Sequence, residues 1–160
     1  MPKDKKEEYK QQLTQARTDL LTLLTSLNET QWQTTVISEG QDWSVADIVT
    51  HLFENERGMS IHIHKIRQGR ETVPADFDLE AWNAGLKERN APAEPEQLLT
   101  GLAQVRAKTL EVLATVEDHE WDLSGRHPDR GLITVAQYYE TIAGHDRHHA
   151  ADIRRGLGLP

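Results

Sequence analysis

Residues 133–155, ITVAQYYETIAGHDRHHAADIRR, read as one amphipathic helix, and its inward stripe decides the rest of the fold. Thr134 and Gln137 are spaced as a capping box, and Ile133 and Tyr138 as the hydrophobic staple that accompanies one. Gly156, preceded by Arg154 and Arg155 at the negative end of the dipole, is the expected stop. Val135, Tyr138, Ile142, His145, His149 and Ile153 recur at spacings of three and four, so they share one face. Imidazoles therefore stand where a helical bundle would otherwise place leucines. Buried polar groups are costly without partners, and H-x-x-x-H sets two imidazoles one turn apart, a spacing suited to gripping a transition metal. The two histidines are candidate metal ligands, to be completed by another helix.

Composition narrows the alternatives. A chain of 160 residues is the size of one domain, taken as 1–160. A net charge of -8 disfavours nucleic acid, because that binding rests on Lys and Arg neutralising phosphates. No local basic cluster reverses the balance, since Lys3, Lys5 and Lys6 are interrupted or followed by acids. The apolar run at Leu20–Leu24 is far short of the ~20 residues that span a bilayer. The charged N-terminus lacks the apolar stretch of a signal peptide, so a cytoplasmic location without membrane contact is expected. With no cysteine, disulfides, thiolate metal sites and a cysteine nucleophile are excluded. Eight histidines are the compositional oddity.

The periodicity predicts three further long helices. The first covers residues 4–28, with Tyr9, Leu13, Ala16, Leu20 and Leu27 inward and its Lys, Gln, Arg and Asp outward. Trp32 and Val36, in the polar segment that follows, are expected to cover one end of the core. The second helix opens with Ser44 as N-cap, Asp47 in its first turn and Trp43 stapling onto Ile48, and runs to Gly69. The third starts at Glu94-Pro95-Glu96 and carries Leu98, Leu102, Val105, Thr109 and Val116. Between the second and third lie about 25 residues, against 2–8 for neighbouring bundle helices, with one short helix over Leu79–Arg89. So long a link implies a crossover. The loop DLSGRHPDRG leads into the last helix, and no repeat or strand set is visible. The expectation is an all-α, up-down-down-up four-helix bundle with a long crossover between helices 2 and 3.

Chain geometry nominates the third imidazole. His51 lies about 10 Å below the start of the second helix, and His149 about 10 Å from the end of the last, at 1.5 Å per residue. In an up-down-down-up bundle those two helices are antiparallel, which brings His51 and His149 to one depth with His145 a turn deeper. His148 points about 100° away from His149. His62 and His64 read as an exposed pair, and His119 and His127 as lying at the other end of the bundle. Glu54, one turn beyond His51, is a weak candidate fourth ligand or general base. Arg57 and Arg106 are carboxylate anchors only if they face the site, and surface exposure is expected for both. Gly144, before His145, reads either as close helix packing or as room for a ligand. Three neutral imidazoles with an open position are the donor set of a catalytic rather than a sealed site, where a metal activates water or a thiol.

DWSVADIVTHL at 42–52, FDLEAWN at Phe77–Asn83 and the 133–155 helix together resemble the DinB/YfiT-like metal-binding four-helix bundles. That resemblance spans nearly the whole chain. It implies His51, His145 and His149 as the metal triad, zinc or nickel as the metal, a homodimer, and relatives that are bacillithiol-, mycothiol- or glutathione-dependent S-transferases and isomerases. The expected activity is a metal-dependent thiol S-transferase acting on an electrophilic small molecule. Its low-molecular-weight thiol must come from outside, because the chain has none. A metal-dependent hydrolase with Glu54 as base, or a non-catalytic metal-binding stress-response protein, are the alternatives. The E-x-x-H pairs of di-iron bundles are absent.

Overall fold

Each long helix begins where a side chain can accept an orphan backbone N–H. Asp4 caps α1 (Lys5–Thr25), and reciprocal Ser44/Asp47 and Thr134/Gln137 boxes open α3 (Val45–Arg67) and α7 (Val135–Leu157). Gln97 bonds back to the Glu94 N–H at the start of α6 (Pro95–Ala114). The structure, a computed structural model, describes residues 4–160.

Side-chain pairings fix the helix directions. Tyr9 meets Glu140 and Arg17 meets Asp146, so α1 and α7 run parallel. Glu56 meets Arg106 and Arg67 meets Thr115, so α3 and α6 also run parallel. His51 meets His145 while His62 meets Tyr138, which makes α3 and α7 antiparallel. The bundle is therefore up-down-down-up, and the residues between α3 and α6 form the crossover. That link carries two short helices, α4 (Leu79–Ala84) and α5 (Leu86–Arg89), because the single helix expected there breaks at Gly85.

Three expectations are corrected. Two short antiparallel hairpins, missed in the sequence, precede α3 and α7: β1 (Thr35–Ser38) with β2 (Gln41–Ser44), and β3 (Ser124–His127) with β4 (Gly131–Thr134). The first follows a short helix, α2 (Glu29–Gln33), and packs through buried Val36 and Trp43. Gly156 does not stop α7. The helix runs on to Leu157, capped by Gly158 in the left-handed conformation (φ 66°). Gly156 instead admits β1, since a Cβ there would lie 2.6 Å from Val36 Cγ1. Arg17 and Arg106, expected outside, are buried. Arg17 bonds Glu56 at 2.8 Å and Asp146 at 3.0 Å, and Arg106 bonds the same two carboxylates at 2.9 and 3.0 Å. These four paired charges divide the apolar core into two clusters, one around Leu13, Ile63 and Tyr139 and one around Leu24, Ile48 and Ile153.

The charge cluster also exposes a repeated plan of elements, where the sequence reading sees no repeat. Arg17 Nη1 donates to the Leu102 carbonyl, and Arg106 Nη1 donates to the Leu13 carbonyl. Such reciprocal bonds are the mark of a two-fold relation. Long helix, short helical turn with a buried Trp in it or just after it (Trp32 or Trp121), hairpin, capping box and long helix occur twice in the same order. Glu56 in α3 thereby corresponds to Asp146 in α7. The two halves share little sequence beyond Val-Ala at 45–46 and 135–136, while the bonds between them are reciprocal.

Candidate metal centre

His51 projects from the first third of α3, and His145 and His149 from successive turns of α7. Their Nε2 atoms converge: His51 to His145 is 3.3 Å and His145 to His149 is 3.0 Å. Zn–N bonds of about 2.0–2.1 Å at tetrahedral angles imply nitrogens about 3.3–3.4 Å apart, so both of these pairs are near the spacing of ligands to one ion, and all three donors lie within 4.8 Å of one another. His51 and His149 are buried, and His149 is fully enclosed. Burial, reinforced by the neighbouring imidazoles, pushes His51 down to about 2. Burial likewise lowers His149 to about 4, against the opposing pull of the Glu39 carboxylate. Neutral imidazoles are the form that ligates a metal.

A buried chain of hydrogen bonds fixes the protonation of His149. Ser38 Oγ lies 2.6 Å from Asp152 Oδ2 and 2.9 Å from His149 Nδ1. The hydroxyl has one proton, which goes to the carboxylate, so Nδ1–H donates to Ser38 and the Nε2 lone pair faces His51 and His145. The packing of Val36 on Gly156 is what carries β1 close enough for this contact.

The tip of the same hairpin supplies a carboxylate that sequence reading missed. Glu39 Oε1 is 3.3 Å from His149 Nε2 and 3.8 Å from His145 Nε2. The two imidazoles of His145 and His149 hold its carboxyl well below the usual carboxylate range. A signal was present, since Glu39-Gly40 is a two-residue turn between the short arms TVIS and QDWS. Glu54, the acid chosen from the sequence, serves elsewhere. It binds Arg89 at 2.6 Å and Asn90 at 2.8 Å and so ties the crossover to α3. Arg106 belongs to the core charge cluster, and Arg57 is exposed.

The remaining histidines divide. His64 is exposed, as expected, and His148, pointing away from His149, is exposed too. His62 is half-buried with Nδ1 3.3 Å from the Tyr138 hydroxyl, and burial lowers it to about 4. His127 is not remote, because the β3–β4 hairpin folds it back onto a cleft of about 120 Å³ that also borders Glu39, His51 and His145. Buried Asn83 lines that cleft with an Oδ1 that has no hydrogen-bond partner among the described residues. Above Gly144 there is open space and no close-packed neighbour.

The DinB superfamily profile matches residues 12–153. The chain belongs to the DinB superfamily. This DinB chain is 24% identical over 127 residues to an Oceanobacillus iheyensis protein proposed to be a metal-dependent hydrolase, covering 79% of the chain and 71% of that protein. YfiT from Bacillus subtilis, proposed as a metal-dependent hydrolase with an unusual four-helix-bundle topology, shares its fold at TM-score 0.76 and 23% identity, over 100% of this chain and 91% of YfiT. A mycothiol-dependent maleylpyruvate isomerase superposes at TM-score 0.70 and 17% identity, covering 91% of this chain and 60% of the isomerase. The colibactin self-resistance protein ClbS, solved with double-stranded DNA, superposes at TM-score 0.75 and 16% identity, covering 97% and 96%. At these identities the structural likenesses speak for the fold of this DinB chain.

Proposed function

We propose that the protein binds one divalent metal, Zn2+ or Ni2+, through His51, His145 and His149, and acts as a metal-dependent thiol S-transferase on an electrophilic small molecule. The observation that carries this reading is the convergence of three imidazoles between α3 and α7, with His145 Nε2 3.3 Å from His51 Nε2 and 3.0 Å from His149 Nε2. When bound, a metal at such donors lowers the pKa of a coordinated thiol or water toward neutrality. The chain's own groups do the rest. Ser38 and Asp152 orient His149, and Trp43, with its ring 4.8 Å from that of His51, packs against that imidazole. The adjoining cleft of about 120 Å³, bordered by Glu39, His51 and His145, gives a small molecule room beside the imidazoles. The chain has no cysteine, so the sulfur nucleophile is a diffusible low-molecular-weight thiol.

A second reading, a metal-dependent hydrolase, is favoured by the Glu39 carboxylate beside the imidazoles, a place where it can take a proton from water. One assay separates the two. Metal-loaded protein is offered an electrophile with and without bacillithiol, mycothiol or glutathione. Conjugate formed only with thiol, and lost in His149→Ala, supports the transferase. Turnover without thiol supports the hydrolase, and no turnover of either kind removes the enzymatic reading.

The reading extends to a cytoplasmic homodimer whose partners are small molecules. No helix among the described residues is long and apolar enough to cross a membrane. The net charge of -8 opposes nucleic acid binding. Sedimentation of the metal-loaded protein tests the dimer.

A further inference from the structure

The open fourth position expected of the three-histidine site is where the β1–β2 turn delivers Glu39. Its Oε1 stands 3.3 Å from His149 Nε2, close to the 3.3 Å that separates His51 and His145 and to the edge, about 3.3–3.4 Å, of a tetrahedron around zinc. All four donor atoms lie within 4.8 Å of one another. The backbone is a second, independent observation. Glu39 is the only non-glycine described residue with positive φ (52°), followed by Gly40 at 70°. A two-residue hairpin turn of this kind favours Asn-Gly or Gly-Gly, and a glutamate in its first position is strained. Such outliers persist where the surroundings impose them, and they cluster at functional sites. Here both sides are anchored: Ser38 is buried on Asp152 and His149, and Trp43 is buried in the core. The turn is thus held in the conformation that aims the carboxylate at the imidazoles.

We propose that Glu39 is the fourth ligand of the resting metal site, so that an incoming ligand enters by exchange with its carboxylate and not by addition to an open position. The inference rests on the metal reading above. In the exchange one carboxylate–metal bond breaks as one donor–metal bond forms, with no change of oxidation state, and the freed carboxylate stays beside the site. It lies at the solvent-facing side, 28% exposed, whereas His149 is wholly enclosed, so Glu39 is the ligand with room to swing away.

Cobalt is the probe, because four-coordinate Co2+ absorbs visible light far more strongly than five- or six-coordinate Co2+. Chelator-stripped wild type, Glu39→Gln, Glu39→Asp and His149→Ala are titrated with Co2+, then with azide. Wild type is expected to give the intense four-coordinate spectrum. Glu39→Gln and Glu39→Asp are expected to bind at least about tenfold more weakly, with a weakened spectrum and readier azide uptake. Glu39→Asp keeps the charge but is one methylene short, so its loss separates ligation from simple attraction. If both Glu39 variants match wild type in affinity, spectrum and azide uptake while His149→Ala does not bind, the Glu39 proposal is wrong and the triad stands. If wild type takes up no cobalt, the metal reading fails and this proposal falls with it.

Discussion

The Ser38 hydroxyl, 2.9 Å from His149 Nδ1, decides which nitrogen of that imidazole carries the proton. Ser38→Ala leaves His149 Nδ1 and Asp152 without their shared partner. Loss of such a support costs ~10–100-fold in metal affinity, and the orphaned buried groups cost ~1–3 kcal/mol of stability. A competitive zinc titration beside a urea melt measures both. Unchanged affinity would show that His149 is oriented by packing alone.

Removing an imidazole is expected to abolish stoichiometric metal. Elemental analysis of untagged protein should find metal lost in His51→Ala and His149→Ala and retained in His64→Ala, whose side chain is exposed on the far part of α3. At metal 100-fold above its dissociation constant, binding adds ~2.7 kcal/mol to the folded state, so chelation should lower the melting temperature of wild type and leave His149→Ala unmoved.

Glu56 faces both Arg17 and Arg106, at 2.8 and 2.9 Å. These arginine partners, with Thr109, hold its carboxyl below the usual range against the burial that would raise it. Glu56→Ala strands two buried guanidiniums with one remaining carboxylate, and breaking such a pair costs ~3–5 kcal/mol. Chemical denaturation should show a loss of that size. A loss under ~1 kcal/mol, the scale of an exposed pair, would mean that water reaches the cluster.

Two glycines of α7 should respond in opposite directions. Gly144→Ala places its methyl in open space within a helix and is expected to stabilise by ~0.5–1 kcal/mol. Gly156→Ala drives a methyl to 2.6 Å from Val36 Cγ1 and should cost ~1–3 kcal/mol as β1 shifts. Because β1 also carries Ser38 and leads into Glu39, the second variant should bind metal more weakly. Differential scanning calorimetry with and without zinc reads both effects.

Acid should destabilise the metal-free protein before its carboxylates titrate. His51 is lowered to about 2 and His62 and His149 to about 4, from 6.5, mainly by burial. Their folded-state pKa values lie below the unfolded ones, so their contribution is complete above about pH 6.5. It is lost as pH falls from 6.5 toward 4, where only the unfolded chain takes up the protons, at ~1.4 kcal/mol per unit for each group. Urea midpoints should decline through this window. A flat profile there would mean that these imidazoles accept protons while folded.

How much of this was legible depends on where each residue sits. The helices and the His51–His145–His149 meeting follow from caps and periodicity, because rise per residue converts a position in sequence into a depth in the bundle. Glu39 was missed because it lies in a hairpin whose four-residue arms are too short to establish alternation. Glu54 suggests itself instead because adjacency along one helix is readable, whereas adjacency across a turn is not. Arg17 and Arg106 were assigned to the surface because a charged residue on a helix is usually solvated. Their burial depends on Glu56 and Asp146 arriving from two other helices, and no local pattern announces that.

The duplicated plan gives every ligand position a counterpart. Thr141 stands in α7 where His51 stands in α3, and Asn55 and Met59 stand in α3 where His145 and His149 stand in α7. The backbone thus repeats the frame on which the three imidazoles stand, and the operation relating the two copies is the one that pairs Arg17 with Arg106. Writing histidine at 55, 59 and 141 would ask whether coordination is a property of the scaffold or of one inherited half, and a protein taking up two ions per chain would answer for the scaffold.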